Sequence, residues 1–175
     1  PVMIRASKLT AAENGYDTLM AELEAPSVSS DRKAAVIGGG PAGMAAAYFL
    51  GRAGVRTTLF EKESRLGGIV RNVIPAFRIS DEAIDRDSAL IERMGAEIRL
   101  NTPAPSLNEL RADGYTHILY CVGAEKSGRL NIEGNVINVI EFLRDLKSGR
   151  PMELGKNVVV IGGGNTAMDA ARAAK

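Results

Sequence analysis

A single cysteine, Cys121, stands in 175 residues. One thiol cannot close an internal disulfide. It cannot build a four-cysteine iron–sulfur site or a structural zinc site either, so any such centre has to lie outside this segment. An excess of charge is equally lacking: 22 Lys and Arg balance 21 Asp and Glu for a net +1, which excludes an electrostatic nucleic-acid surface. A membrane span is lacking too. The stretch from Ala34 to Gly51 carries no charge, but Gly38-Gly39-Gly40-Pro41 interrupts it near its beginning, which ruins a spanning helix and suits a strand-to-helix corner in water. The first residues have no basic start followed by an apolar signal core, so a soluble cytoplasmic protein is expected.

What is present is enough for a core. A chain that is 45% hydrophobic and 25% charged can bury one without disulfides or metal. Its length leaves room for one domain and part of another, since domains typically run about 100 to 200 residues. The most informative text occurs twice. Val36-Ile37-Gly38-Gly39-Gly40-Pro41-Ala42-Gly43-Met44 returns as Val160-Ile161-Gly162-Gly163-Gly164-Asn165-Thr166-Ala167-Met168. Each copy joins an apolar run to a glycine turn and an Ala-rich segment, the pattern of strand, tight turn and helix that cradles a phosphate. Two cradles in one chain suggest two dinucleotides, one giving electrons and one taking them, which is the outline of a flavin-dependent reductase.

Periodicity fills in the rest. Tyr16, Leu19, Met20 and Leu23 predict an amphipathic leader helix from about Ser7 to Glu24, kinked or broken at Asn14-Gly15, with Pro26 to Ser30 as a linker and the whole serving as a packing arm. Ala34 to Ile37 predicts a buried parallel strand, Ala42 to Arg52 its crossover helix, and Arg56 to Phe60 a second strand. Ser80 can cap a helix carrying Asp81 and Glu82 in its first turn and Ile84, Leu90, Ile91 and Met94 on its apolar stripe, ended by Gly95. A strand at Glu97 to Leu100, a short helix at Leu107 to Ala112, a buried strand at Thr116 to Val122, a helix at Val139 to Lys147 and a strand at Asn157 to Ile161 follow. Such alternation predicts an α/β, Rossmann-like doubly wound sheet. The expected division is a helical leader and linker at 1–30, a first nucleotide-binding domain at 31–152, and the truncated start of a second at 153–175.

In Gly38-x-Gly40-x-x-Gly43 the first glycine permits the turn, the second admits the pyrophosphate to the backbone, and the third lets helix and strand approach, which small Ala47 continues. The exposed N–H groups of Gly39, Gly40 and Ala42 and the helix dipole starting at Pro41 stabilise phosphate charge without a basic side chain. Glu61, eighteen residues after Gly43, falls at the end of the second strand, where a carboxylate accepts from ribose hydroxyls and repels a 2′-phosphate. FAD or NAD is expected there rather than NADP. Leu66-Gly67-Gly68 one loop later can close over the phosphates and tilts the reading toward FAD.

The second cradle, Gly162-x-Gly164-x-x-Ala167 with Asn165 and Thr166 between, has Ala in place of the third glycine, a change frequent where NADPH binds. The acid or Arg that would choose between NAD and NADP belongs beyond Lys175. His117 lies in a strand-like apolar run and reads as structural. Cys121, without a CxxC partner, reads as packing. No catalytic acid or base is expected, because the cofactors carry hydride and electron chemistry.

These residues resemble the pyridine nucleotide-disulphide oxidoreductase superfamily, in the branch without the redox disulfide. That branch includes the glutamate synthase small subunit, the flavin and NADPH portion of dihydropyrimidine dehydrogenase, and an iron–sulfur-associated subunit of the selenate reductase type. Beyond the two cradles the matching text is Phe60-Glu61-Lys62, Leu66-Gly67-Gly68, Ile74-Pro75-Ala76-Phe77-Arg78, Cys121-Val122-Gly123-Ala124 and Asp169. The resemblance implies FAD at the first cradle and NADPH at the second, with electrons passing to iron–sulfur clusters in another domain or subunit. It implies Glu61 on the ribose, Lys62, Leu66 and Gly68 around the dinucleotide, Arg78 near the flavin, and Val122 and Gly123 beside the cofactor. The upstream cluster cysteines, the rest of the NADPH domain and the returning flavin segment are absent from these residues. The chain alone is therefore expected to hold FAD weakly or not at all and to turn over no NADPH. Two rivals remain: an NAD-binding dehydrogenase domain and a non-catalytic assembly scaffold.

Overall fold

The strand that organises the molecule is β1 (Lys33–Ile37), whose Ala34, Ala35, Val36 and Ile37 are apolar on both faces and fully buried. A strand of that kind can sit between neighbours with helices above and below. In the computed structural model, which describes residues 3–29, 31–124, 128, 131–150 and 152–175, β1 pairs in parallel with β2 (Arg56–Phe60) on one side. On the other side it pairs in parallel with β4 (His117–Tyr120). A short β3 (Glu97–Arg99) adds beyond β2, giving the order β3-β2-β1-β4. The register sets Ile37 opposite both Phe60 and Tyr120, so the ends of three strands gather where β1 gives way to glycine.

Helices close both faces. α2 (Pro41–Arg52) crosses from β1 to β2, with Pro41 in its first turn, where the missing N–H costs nothing. α4 (Asp81–Arg93) begins as predicted: Ser80 Oγ accepts from Ala83 N–H at 3.2 Å, Asp81 and Glu82 complement the helix dipole, and Arg93 does so at the far end. Met44 and Ala47 of α2 and Ile84 and Ile91 of α4 pack with Val36 and Leu59 on one face of the sheet. Leu110 of α5 (Leu107–Ala112), with Tyr115, packs with Ala35, Ile37 and Phe60 on the other. Full burial of Val36, Leu59, Ile91 and Leu110 contributes roughly 1.5–3 kcal/mol each. This is the α/β doubly wound arrangement that the sequence predicts.

A third cluster forms apart from the sheet. Phe142 and Leu143 of α6 (Val139–Lys147) pack with Val73 and with Ala170 of α7 (Asn165–Ala173). Among the described residues, no helix is long and apolar enough to cross a membrane.

Four expectations need correction. The leader helix α1 (Ile4–Glu22) forms, but none of its residues is buried, so it is not an amphipathic packing element. Ile4, Leu9 and Leu19 are 66%, 58% and 44% exposed, while Tyr16, Met20 and Leu23 of the predicted stripe are only half-buried. Its hold on the body is local, through Tyr16, whose hydroxyl donates to the Arg86 carbonyl at 3.2 Å, and through Arg93, which donates to Leu23 O at 2.6 Å. Asn14-Gly15 does not break it, because Asn14 Nδ2 donates back to Thr10 O within the helix. Ser30, the last residue of the predicted linker, lies outside the described residues. The predicted buried strand from Thr116 to Val122 is shorter and lies on the edge, with His117 and Tyr120 exposed, because β1 is its sole partner among the described residues. Asn157 to Ile161 is not a strand: none of the described residues pairs with it, and Val159 and Ile161 are 83% and 64% exposed. Finally, a short helix, α3 (Gly68–Asn72), forms where the sequence suggests only a loop.

Candidate functional site

At the end of β1 the backbone turns sharply at Gly38, whose φ of +102° lies in the region open to glycine. Gly38 N–H donates to Phe60 O at 2.8 Å, and Cys121 N–H donates to Ile37 O at 2.7 Å, so the turn is held from both neighbouring strands. Packing here leaves no room for side chains. A Cβ on Gly38 would meet the Cys121 carbonyl at 2.6 Å, and one on Gly43 would lie 1.8 Å from the Gly38 carbonyl. Helix α2 therefore starts directly on the turn. Its N-cap is Gly40 with no side chain to cap it, so the first-turn amides, including those of Ala42 and Gly43, have no helical carbonyl to bond. With exposed Pro41 and Ala42 beside them, these amides and the positive end of the helix dipole face outward.

Glu61 arrives from the end of β2. It is 6% exposed, yet it needs no cation: its Oε2 accepts from Gly39 N–H at 2.6 Å and its Oε1 from Glu63 N–H at 2.8 Å. A carboxylate offers roughly four acceptor positions, so about two stay open toward the rim.

Leu66, Gly67 and Gly68 form a second layer over the first. Gly67 N–H donates to Gly39 O at 2.8 Å, Leu66 Cδ2 would lie 2.4 Å from a Cβ on Gly39, and a Cβ on Gly68 would lie 2.9 Å from Gly40 Cα. Two glycine loops thus touch backbone to backbone. Val122 follows Cys121 at the same corner, with its Cα within 3.2 Å of where a Gly38 side chain would begin, and Val122 and Gly123 are exposed there. So Gly38, Gly39, Gly40, Pro41, Ala42, Gly43, Glu61, Leu66, Gly67, Gly68, Val122 and Gly123 converge as the sequence predicts. Lys62 does not join them: its side chain points to solvent beside Glu63 at 3.9 Å. Burial raises the Cys121 thiol above its ordinary pKa, which keeps it protonated and inert near neutral pH.

Arg78 is elsewhere too. Its Nε donates to Asp169 of α7, a carboxylate nearly buried in the C-terminal unit, while Arg172 stacks over the Phe77 ring at 3.9 Å. The segment after α3 is held further by Lys147, which donates to Ile74 O at 2.7 Å. Burial pulls the Lys147 ammonium below its usual pKa, against the opposing pull of Asp81.

The second glycine turn is looser. Gly162 has φ +133°, a Cβ there would meet Ala167 Cβ at 3.5 Å, and Gly163 and Gly164 have open space around them. Helix α7 starts uncapped after Gly164, with Asn165 and Thr166 exposed and Ala167 buried. The turn opens on a cleft lined in part by Ile132, Val136, Val158 and Val160. Among the described residues no group of three or more His, Cys, Asp or Glu could hold a metal ion.

Two residues of the first site escaped the glycine pattern. Arg71 and Asp85 fasten the second loop, and the signal for them was the Asp81, Asp85 spacing on one face of α4 opposite basic Arg65 and Arg71.

Known proteins share this arrangement. The family model for the pyridine nucleotide-disulphide oxidoreductases matches residues 32–175. The chain is 42% identical over 176 residues to YgfK of Escherichia coli (strain K12), covering 98% of this chain and 17% of that protein. It is 34% identical over 189 residues to the glutamate synthase [NADPH] small chain of Mycobacterium tuberculosis, covering 97% of this chain and 38% of that one. Among solved structures, a 2-naphthoyl-CoA reductase complexed with 2-naphthoyl-CoA superimposes with a TM-score of 0.65 at 26% identity, covering 94% of this chain and 24% of that one. The chain thus spans well under half the length of these relatives. Its doubly wound sheet, its glycine corner and the family match over most of its length make it a member of the pyridine nucleotide-disulphide oxidoreductase family.

Proposed function

We propose that residues 31–152 bind FAD and that 153–175 begin an NAD(P)H-binding domain, within a cytoplasmic oxidoreductase that passes electrons from NADPH through FAD to iron–sulfur clusters of a partner domain or subunit. The observation that carries the first half is the junction of free first-turn amides at Gly40 to Gly43 with the fixed carboxylate of Glu61. Amides at a helix N-terminus stabilise a diphosphate, and the open acceptor positions of Glu61 match the two hydroxyls of an unphosphorylated ribose. A 2′-phosphate would meet the Glu61 charge. Gly38, Gly39 and Gly43 keep side chains out of the corner, since a Cβ at any of them would collide with the fold itself.

The roof formed by Leu66, Gly67 and Gly68 favours FAD over NAD at this corner, because a second backbone layer can close on the phosphates. When bound, the flavin supplies hydride acceptance and stepwise electron release. This chain's residues bind, orient and shield it. The amides of Gly40, Ala42 and Gly43 hold the diphosphate, Glu61 the sugar, and exposed Val122 and Gly123 border the path away from the corner. Gly162, Gly164, Asn165, Thr166 and Ala167 would receive the phosphates of NADPH. The relatives named for NADPH, such as the glutamate synthase [NADPH] small chain and the NADPH-Fe(3+) oxidoreductase subunit beta of Geobacter sulfurreducens, support that choice. Arg78 acts in this reading through the Asp169 contact, at the seam between the two nucleotide sites.

Titration of the purified chain with FAD and with NAD, followed by flavin fluorescence and calorimetry, tests the reading. FAD binding that Glu61→Ala weakens is the expected result. In the longer polypeptide, preference for NAD selects a dehydrogenase domain, and no nucleotide binding selects a scaffold. There, NADPH should bleach the flavin absorbance.

A further inference from the structure

The contacts of Arg71 join the roof loop to α4. Its side chain is 7% exposed, although it belongs to the short helix α3 near the surface. Its Nε donates to the Leu66 carbonyl, its Nη2 donates to Asp85 Oδ1 at 2.6 Å, and its Nη1 lies 3.2 Å from Asp81 Oδ2 without hydrogen-bond geometry. Arg65, on the other side of the glycine pair, clasps the same two carboxylates at 3.0 and 2.6 Å. The loop from 65 to 71 is therefore stapled at both ends to one face of α4, where Asp81 and Asp85 lie a helical turn apart.

The guanidinium also lies against the glycine it serves. Gly67 has φ +122°, and a Cβ there would meet Arg71 Cβ at 2.8 Å, so glycine is required by both backbone and space. Burial works against the Asp85 carboxylate, but the hydrogen bonds and charges of Arg71 and Arg65 outweigh it and hold the carboxyl below its ordinary pKa. A buried ion pair of this kind is weak support for stability, because desolvation offsets much of the attraction. Geometry is what it supplies. A planar fork can reach a carbonyl and two carboxylates at once, which a lysine cannot.

Resting on the reading of the first corner as a dinucleotide site, we propose that Arg71 is a positioning residue for it. Braced by Asp81 and Asp85, its guanidinium fixes Leu66, Gly67 and Gly68 against Gly39 and Gly40 and so sets the spacing of the two backbone layers that receive the phosphates. It touches no ligand atom. It acts through the Leu66 carbonyl and the Gly67 backbone.

Binding of ADP to the purified chain by calorimetry, well below the melting temperature, and of adenosine by ligand-observed NMR tests this. Arg71→Met is expected to weaken ADP about tenfold, the loss of one charge-assisted bond, and Arg71→Lys to restore little of it. Adenosine, which has the sugar and no phosphate, should stay within about twofold. A structural role alone would lower the melting temperature while leaving the ADP affinity of the folded protein in place, and that result overturns the proposal, as does an equal loss for ADP and adenosine. Should Arg71→Met not fold, Asp85→Asn decides, because that side chain is half exposed. A loss of about threefold for ADP alone is then expected, and no change sinks the idea. If the unaltered chain binds neither ADP nor adenosine, the dinucleotide reading falls and takes this inference with it.

Discussion

The two glycine turns are almost the same text folded in different company. Val36-Ile37 enters the first from a strand with parallel neighbours on both sides, and neither residue is more than 2% exposed. Val159 and Ile161, ahead of the second, have no strand partner among the described residues and are mostly in solvent. The helices after both turns form equally well, since each starts on an uncapped glycine with good helix formers behind it. The difference is in the turns. At the matching middle glycines, a Cβ on Gly39 would lie 2.4 Å from Leu66 Cδ2 and 2.9 Å from Glu61 Oε2, whereas Gly163 has open space around it. A glycine motif writes the helix start by itself, but a tight cradle needs a sheet to press the turn against the helix.

The strongest way to break this contrast is to truncate the strand residues. Ile37→Ala should destabilise by about 3 kcal/mol, and its counterpart Ile161→Ala by no more than about 0.5 kcal/mol. Comparable losses would reveal that the second segment is buried after all. Next comes the same methyl added to both turns. Gly39→Ala should cost about 2 kcal/mol or more and weaken ADP binding, while Gly163→Ala should stay within about 0.5 kcal/mol, the stabilities measured by urea unfolding and the affinity by calorimetry. Equal costs would mean the turns are equally tight.

A smaller effect sharpens the role of the acid. Glu61→Ala leaves the Gly39 and Glu63 amides without their acceptor and should cost about 1–2 kcal/mol, with weaker ADP binding in calorimetry. An unchanged melt would show that water replaces the carboxylate freely. The smallest effect concerns the brace on the roof. The Asp85 carboxyl titrates below its ordinary 3.8 in the folded chain, so the stability it lends is complete above that value and is lost as pH falls through the lower folded one. Half-exposed as it is, Asp85→Asn should cost less than about 1 kcal/mol at neutral pH. The gap between the variant and the unaltered chain should close in acid, and a gap that widens instead would contradict the ion pairs with Arg65 and Arg71.

Where local chemistry decides, the sequence was a good guide. The bounds of β2, α5 and α6 follow from apolar pattern and breakers, and Ser80 caps α4 as its side chain suggests. The corner of Gly38 to Gly43 under Glu61 was legible because spacing along strand, turn and strand translates directly into space in this fold. Partners remote in sequence were not legible. Nothing in Asn157 to Ile161 tells that no strand among the described residues lies beside it, and nothing in Leu19 tells that it stays 44% exposed while Tyr16 and Leu23 are half-buried. Arg71 resembled any loop cation until α4 brought Asp81 and Asp85 against it. Arg78 likewise needed α7 in place before its carboxylate could be named.

The carboxylate at the end of β2 has one further consequence. With both oxygens tied to main-chain amides, its torsions are frozen before any nucleotide arrives. Immobilising such a side chain on binding would cost roughly 0.5–1.5 kcal/mol, and here that loss of freedom is already borne by folding. An incoming sugar meets a rigid, pre-aimed acceptor and keeps more of its contact energy as affinity.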